Sequence, residues 1–401
     1  MLKYLVDVWV NLNGQQVKAG EFVCEIAPSN GKGRGAFRYS GEYLGHTTAY
    51  ALDPVALPLG ENSFSIDHPG VFSVFLDSLP DDWGKRLLIR KHNLPRGRQN
   101  FSEMLLALGS SGLGALSYAE SRKPLPQSTA SSILTLDRLV YEAELFESGV
   151  SNDADIAHLL SAGSSPGGAR PKALVHDPEQ DRYYLAKFPS SNDNVDVVRI
   201  EAATMSLAGA AGLVTPPTNL IQCGNKPVLL VERFDVTAIG RRHMISMQTL
   251  LKAEGYYQCR YKELLDMVRM VSADPATDSR LLFRQMVFNA VIGNTDDHLK
   301  NFWMICSPEE GWRLSPSFDL VPDIREAREH ILFFDLGGYH PGKKALEKLG
   351  RSWGISKPAN VVEEVYVALQ PWRDVFTAFG VSDADCNRFR NIDDRLTPSA
   401  D

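Results

Sequence analysis

What this chain lacks narrows its class first. No two of its five cysteines (Cys24, Cys223, Cys259, Cys306, Cys386) form a Cys-x-x-Cys pair, so neither a zinc site nor a disulfide framework is written into it. An odd number of scattered thiols suits a reducing compartment, where each serves as a small buried hydrophobe. No apolar run approaches the roughly 20 residues that cross a bilayer, and Asp7 interrupts the N-terminal stretch 1–10 that could otherwise pass for a secretory segment. An excess of positive charge is missing too. Against 42 Lys and Arg stand 49 Asp and Glu, a net charge of −7, which argues against nucleic-acid binding by this chain alone. Internal repeats and low-complexity tracts are absent. The expectation is a cytoplasmic globular protein with no membrane association, long enough at 401 residues for two or three domains.

What is present concentrates in residues 282–323. Leu282, Phe283, Met286, Val287, Ala290 and Val291 recur at helical spacing and predict a buried helix that stops at Gly293. Asn294, Thr295, Asp296, Asp297, His298, Lys300 and Asn301 follow at once, and charge at the end of a buried helix is costly unless something uses it. Asp296 and Asn301 stand five apart, as do the Asp and Asn of the protein-kinase catalytic loop. Asp319 follows a short strand-like run at 312–314, where a kinase keeps a second metal-binding Asp. Three oxygen ligands on two loops suit magnesium, which takes few protein oxygens and fills its shell with phosphates and water.

Upstream lies a glycine-rich stretch, Ser164-Ser-Pro-Gly-Gly-Ala-Arg-Pro-Lys172, just before a β-like run. Gly167 and Gly168 would let backbone N–H groups approach phosphate oxygens, and Arg170 and Lys172 supply charge-assisted donors. Taken by itself it reads equally well as a surface turn with two basic residues. A hairpin turn at 176–181 leads to a strand carrying Lys187, which either snorkels from an edge or faces a ligand. The helix that begins near Val197 carries Glu201, either a Lys187 partner or a solvated glutamate favoured by the helix dipole. A buried strand over 228–234 comes next. Glycine loop, strand, turn, strand with lysine, then helix is the order of a kinase small lobe.

The first hundred residues read as β-rich. Asn13-Gly14 joins two alternating runs into a hairpin, and an apolar stretch at 71–80 leads into a basic amphipathic helix over 83–92. The glycines of 109–114 lack the Gly-Lys-Ser/Thr of a phosphate loop and read as a turn. Residues 119–135, polar and Pro-containing, are the best linker candidate. From 245 onward the pattern is helical (247–251, 261–271, 280–293, 361–370), with Trp353, Tyr366, Trp372 and Phe376 as core residues. This predicts an α+β, bilobal, kinase-like architecture divided at 1–125, 126–240 and 241–401.

Asn-Thr-Asp-Asp-His-Leu-Lys-Asn (294–301), Phe-Asp-Leu-Val-Pro (318–322), Val-Glu-Arg-Phe-Asp (231–235) and Gly-Gly-Ala-Arg-Pro-Lys (167–172) together resemble the HipA family, the kinase toxins of bacterial toxin–antitoxin modules. Phe75-Leu-Asp-Ser-Leu-Pro-Asp-Asp-Trp-Gly84 is similar to that family's N-terminal subdomain. The resemblance implies a serine/threonine-protein kinase using ATP and Mg²⁺. Asp296 would be the catalytic base, with His298 and Lys300 orienting it or stabilising charge. Asn301 and Asp319 would hold the metal, Lys187 the α and β phosphates, and the backbone from Glu232 to Phe234 the adenine. Autophosphorylation on Ser164 or Ser165 would be an off switch, although these serines can equally just start the turn. The partners implied are a HipB-like helix-turn-helix antitoxin, operator DNA only through that antitoxin, and a protein substrate such as an aminoacyl-tRNA synthetase. Two other functions compete: a small-molecule phosphotransferase on the same scaffold, and an inactive scaffold that binds an antitoxin or DNA. The complete set of Asp296, Asn301, Asp319 and Lys187 speaks against the second.

Overall fold

The computed structural model describes residues 2–27, 33–126, 130–149, 151–162, 170–254, 259–325, 329–335 and 341–397. Alternation at the N-terminus produces the expected hairpin. β1 (Leu2–Leu12) pairs with β2 (Gln15–Ile26), and Asn13 and Gly14 turn the chain at φ of 48° and 85°. Two positive angles in a row define the two-residue turn that Asn-Gly tolerates best. β3 (Gly33–Tyr39), β4 (Phe64–Ile66) and β5 (Leu116–Glu120) complete an antiparallel sheet of order β4-β3-β2-β1-β5. Val6, Val8 and Val10 bury the inner face of β1 completely, and the ring of Phe75 meets Phe22, Phe37 and Tyr118 edge to face at 5.4 to 6.1 Å.

The second sheet runs β6-β7-β8-β10-β9, from β6 (Ser131–Ser132), β7 (Lys172–Asp177), β8 (Arg182–Lys187), β9 (Thr218–Cys223) and β10 (Lys226–Glu232). The β7–β8 hairpin sets Lys172 opposite Lys187 in register. Helix Val197–Ala210 packs on β9 and β10, its N-terminus capped by Asp196, which accepts from the Arg199 N–H at 3.0 Å. Helix Asp82–Lys91, though early in the chain, buries Trp83 and Leu87 in this lobe's core beside Val175, Ala186 and Val228. The polar stretch 119–135 is tied down at both ends, in β5 and β6. A short ribbon, β11 (Val236–Thr237) with β12 (Gly240–Arg241), follows β10.

The remaining lobe is helical around Pro275–Ile292, flanked by Tyr261–Val271, Lys343–Ser352, Pro358–Leu369 and Trp372–Ala378. Its core is continuous with that of the N-terminal sheet. Two features differ from the sequence reading. The central helix starts at Pro275 instead of near Arg280, because Asp274 caps it by accepting from the Thr277 N–H at 3.2 Å and proline suits the first helical position. The region also holds an antiparallel sheet, β13 (His243–Ser246), β14 (Trp303–Ser307) and β15 (Gly311–Leu314), of which only the last was anticipated. A five-residue strand with four apolar residues in a row, such as β14, has no period long enough to separate strand from helix.

The central helix ends as expected at Gly293, in the left-handed region at φ 82°, its N–H donating to Asn289 O at 3.0 Å. Arg395, on helix Asn391–Leu396, donates to the Ile292 carbonyl at 3.1 Å and so covers one of that helix's unpaired acceptors. Among the described residues, no helix is long and apolar enough to cross a membrane.

One buried carboxylate ties the central helix to β15. Asp278, 1% exposed, accepts from Arg313 Nε and Nη2 at 3.1 and 3.0 Å, from the Leu314 N–H at 2.8 Å and from the Ser272 hydroxyl at 2.6 Å. Asp278→Ala strands these donors, and a drop in unfolding free energy of about 3 kcal/mol is expected from urea titration.

Candidate active site

Gly293 lets the chain leave its helix abruptly, and the next eight residues are fixed by side chains. Asn294 Nδ2 donates to Asn289 Oδ1 at 3.1 Å, and Asn289 Nδ2 to the Tyr261 hydroxyl at 3.2 Å. That hydroxyl donates onward to Asp297 Oδ2 at 2.6 Å. Asp297, 0% exposed, also lies 2.8 Å from His330 Nδ1 and accepts the N–H groups of Ile331 and Leu332 at 2.9 and 3.3 Å. It is the anchor of the loop. Its neighbour Asp296 is left exposed at the cleft, and Asn301 Nδ2 braces it by donating to the Asp296 carbonyl at 2.8 Å. Asn301 thereby commits its nitrogen and keeps Oδ1 as the atom that could ligate a metal.

Across the cleft, Lys187 at the end of β8 donates to Asp319 Oδ1 at 2.7 Å and to Glu201 Oε1. The second of these decides the question left open for Glu201: it is Lys187's partner, 5% exposed, and not a solvated helix-start residue. Burial disfavours the Lys187 ammonium, but Asp319 and Glu201 outweigh it and hold its pKa above the lysine range. Asp319 is held well below the carboxylate range, chiefly by Lys187, so it remains ionised. Burial raises Glu201 despite Lys187. Asp319 also sits at φ 56°, a left-handed conformation uncommon outside glycine and frequent at functional sites.

The other candidates distribute as follows. Ser164, Ser165, Gly167 and Gly168 lie outside the described residues. Arg170 is half-exposed and paired with Asp193. Lys172 is not a loop cation as its sequence position suggested; it opens β7, is 6% exposed, and has its pKa pushed down to about 8 by burial and by Lys187 opposite. His298 and Lys300 line the cleft. Of the backbone expected to bind adenine, from Glu232 to Phe234, two N–H groups are already paired. The Glu232 N–H donates to Pro217 O at 2.9 Å and the Arg233 N–H to Tyr183 O at 2.8 Å, so both are committed to the sheet. What this stretch does offer is the Phe234 ring, 5.8 Å from Phe318, over an apolar cavity of about 190 Å³ with Leu185, Val231, Met244 and Trp303 in its wall. An adjoining cleft of about 540 Å³ carries Arg170, Lys172 and Asp193. Lys187, Glu201, Asp296 and Asp319 border both spaces.

Three acidic residues escaped the sequence reading: Asp297, and two from the N-terminal part. Asp81 Oδ1 lies 3.0 Å from Lys300 Nζ, and Asp77 accepts from the Ser246 N–H at 2.8 Å. The doubled Asp296-Asp297 and the Leu-Pro-Asp-Asp segment were visible, but nothing local said which carboxylate would be buried or paired.

For metal binding, no cluster of three or more His, Cys, Asp and Glu suited to an ion occurs among the described residues. Asp319 and Asn301 still fit magnesium, since an ionised carboxylate and an amide oxygen are hard donors and bound phosphates would supply the rest.

The HipA-like C-terminal domain profile matches residues 164–372, and the HipA N-terminal domain profile matches residues 16–119. The chain belongs to the HipA family. HipA of Shewanella oneidensis MR-1, solved with HipB and operator DNA, superposes with a TM-score of 0.67 at 17% identity, covering 98% of this chain and 95% of that one. The α+β, HipA-like fold expected from the sequence therefore holds. Two proteins of Sinorhizobium fredii, each named a putative kinase (Y4mE and Y4dM), are 34% and 25% identical over 151 and 154 residues. Each match takes in 35% of this chain and about a third of the relative's own length (34% and 37%).

Lys172 generates a test of site electrostatics. Its folded pKa near 8 lies below the ordinary lysine value, so below pH 8 the folded state holds a buried charge at a cost, and between about 8 and 10.5 the unfolded chain binds more protons. Stability from this group is lowest at neutral pH and rises through that window. Lys172→Met should therefore raise the melting temperature at pH 7, with the advantage shrinking by pH 10 in scanning fluorimetry.

Proposed function

We propose that this protein is an ATP- and Mg²⁺-dependent serine/threonine-protein kinase and the toxin of a type II toxin–antitoxin module. The observation that carries this reading is the Lys187–Glu201–Asp319 charge cluster facing Asp296 and Asn301 across one cleft. Catalysis of phosphoryl transfer is mostly positioning and electrostatics, and this set has the parts for both. Asp296, exposed and held by Asn301 at its carbonyl, accepts the proton of a substrate serine hydroxyl as it attacks the γ-phosphorus in line with the departing ADP oxygen. Lys187 donates to the α and β phosphates, and Lys172 and Arg170 add positive charge at the outer cleft. Asn301 Oδ1 and the Asp319 carboxylate would hold Mg²⁺, which would supply neutralisation of phosphate charge. Phe234 and Phe318 give the base an aromatic, apolar seat. His298, inside the same cavity, stabilises the developing negative charge.

The family, and the Shewanella oneidensis relative solved with HipB and operator DNA, support a HipB-like antitoxin as partner, with DNA reached through it. The net charge of −7 agrees with that division of labour. The substrate in this reading is a cellular protein such as an aminoacyl-tRNA synthetase, and autophosphorylation on Ser164 or Ser165 switches the enzyme off by drawing the half-exposed Arg170 toward the new phosphate.

Purified protein with γ-labelled ATP and Mg²⁺ should place label on serine, in itself or in an added substrate. Asp296→Asn should lower transfer by about a thousandfold while nucleotide still binds. Asp319→Asn should abolish the Mg²⁺-dependent rate with the fold retained by circular dichroism. Label appearing only on a sugar or amino-alcohol acceptor would overturn the protein-kinase assignment, and equal turnover by wild type and Asp296→Asn would overturn catalysis altogether.

A further inference from the structure

Residues 77–83, in the N-terminal part of the chain, attach to three elements of the proposed active site. Asp77 accepts from the Ser246 N–H at 2.8 Å and the Ser246 hydroxyl at 2.9 Å. Ser246 ends β13, caps helix Met247–Leu250 and pairs in register with Trp303, two residues beyond Asn301. At the other end, Trp83 Nε1 donates to the carbonyl of Lys172 at 3.0 Å, where β7 begins. Between them Asp81 meets Lys300 at 3.0 Å.

The two ends are rooted in different cores. Val74 and Phe75, just before the segment, belong to the core shared with the helical lobe, whereas Trp83 and Leu87 belong to the small-lobe core. Trp83 is fully buried against Phe146, ring centroids 5.0 Å apart and nearly perpendicular. The segment therefore spans both walls of the cleft with fixed attachments on each, and Asp77, Leu79 and Asp81 line the cavity themselves. The contact with Asp81 constrains Lys300. Its four-carbon stem has many rotamers, and its backbone is already fixed, since Trp303 Nε1 donates to the Lys300 carbonyl at 2.6 Å. A carboxylate at hydrogen-bond distance selects one placement of the ammonium in the cleft that Asp296 borders.

Resting on the phosphotransfer reading above, we infer that segment 77–83 is an internal clamp across the two lobes and that Asp81 is a positioning residue that aims Lys300 at the transferring phosphoryl group. The N-terminal part is on this account a component of the active enzyme, and any ligand or partner that shifts it changes turnover.

Steady-state kinetics on the full chain tests this, with wild type, Asp81→Asn, Asp81→Glu, Lys300→Met and the double variant Asp81→Asn/Lys300→Met. Asp81→Asn is expected to lower kcat about tenfold with KM for ATP within about twofold of wild type, because placement in the transition state is lost while nucleotide contacts remain. Asp81→Glu should restore most of kcat, and the double variant should be no slower than Lys300→Met, since the two residues act through one contact. Thermal melts run alongside separate this from unfolding; the Asp81 and Lys300 side chains are 30% and 29% exposed, so both variants are expected to fold. A folded Asp81→Asn with wild-type kcat, or a double variant whose losses multiply, overturns the clamp alone. Wild-type protein that transfers no phosphate overturns the kinase reading, and with it the role of Asp81.

Discussion

Lys187 sits between two carboxylates, and the rest of the molecule can be understood as what brings those three charges together. β8 supplies the lysine, helix Val197–Ala210 supplies Glu201, and a loop at positive φ after β15 supplies Asp319. Lys187 and Glu201 are the buried members, and a buried ion left without its partner costs several kcal/mol, whereas the Asp319 side chain is partly exposed at the cleft. Lys187 and Asp319 hold each other ionised, the lysine pushed up and Asp319 down, while burial raises Glu201. The arrangement is a poor way to stabilise a fold, because a packed apolar cluster would do as well without the desolvation. It is a good way to prepare a site for an anionic ligand and its counter-ion, since the positive and negative groups such a pair needs are already in place at the cleft.

The same tension recurs around the cleft. Lys172 is buried opposite another lysine, and burial lifts Asp77 to about 6 although Ser246 donates to it. Asp319 adopts a backbone conformation that favours glycine. Departures of this kind are expected where a structure gives up stability for chemistry, and Lys172, Asp77 and Asp319 all border the cleft spaces.

Much of this was legible in the sequence because it is local. The Asn13-Gly14 hairpin, the helix ending at Gly293, the spacing of Asp296 and Asn301, and the order of strand, turn, strand with lysine and helix each lie within a short window. What stayed hidden depends on distance along the chain. Asp81 and Lys300 are 219 residues apart, and no local period records that they meet. Asp296 and Asp297 look interchangeable as letters, yet one is exposed and the other anchors the loop through His330 and the N–H groups of residues 331 and 332, a division only tertiary packing makes. β14 carries no period of its own, since four apolar residues and a serine fit either regular structure, and the glycine pair before Lys172 points to a loop where the strand already begins. The commitment of the Glu232 and Arg233 N–H groups to Pro217 and Tyr183 was equally out of reach, being a matter of which strand neighbours which.

Arg395 carries a consequence for how the molecule can be handled. Its guanidinium reaches back to the last carbonyls of the central helix, immediately before the left-handed glycine from which the loop of Asp296 departs. The residue is about a hundred positions further along the chain yet adjoins the loop's starting point, so helix Asn391–Leu396 and the cleft are mechanically continuous. Proteolytic trimming ahead of residue 395, or a fusion that pries helix Asn391–Leu396 away, would uncap that helix and loosen the geometry upstream of Asp296 without touching a single residue of the cleft.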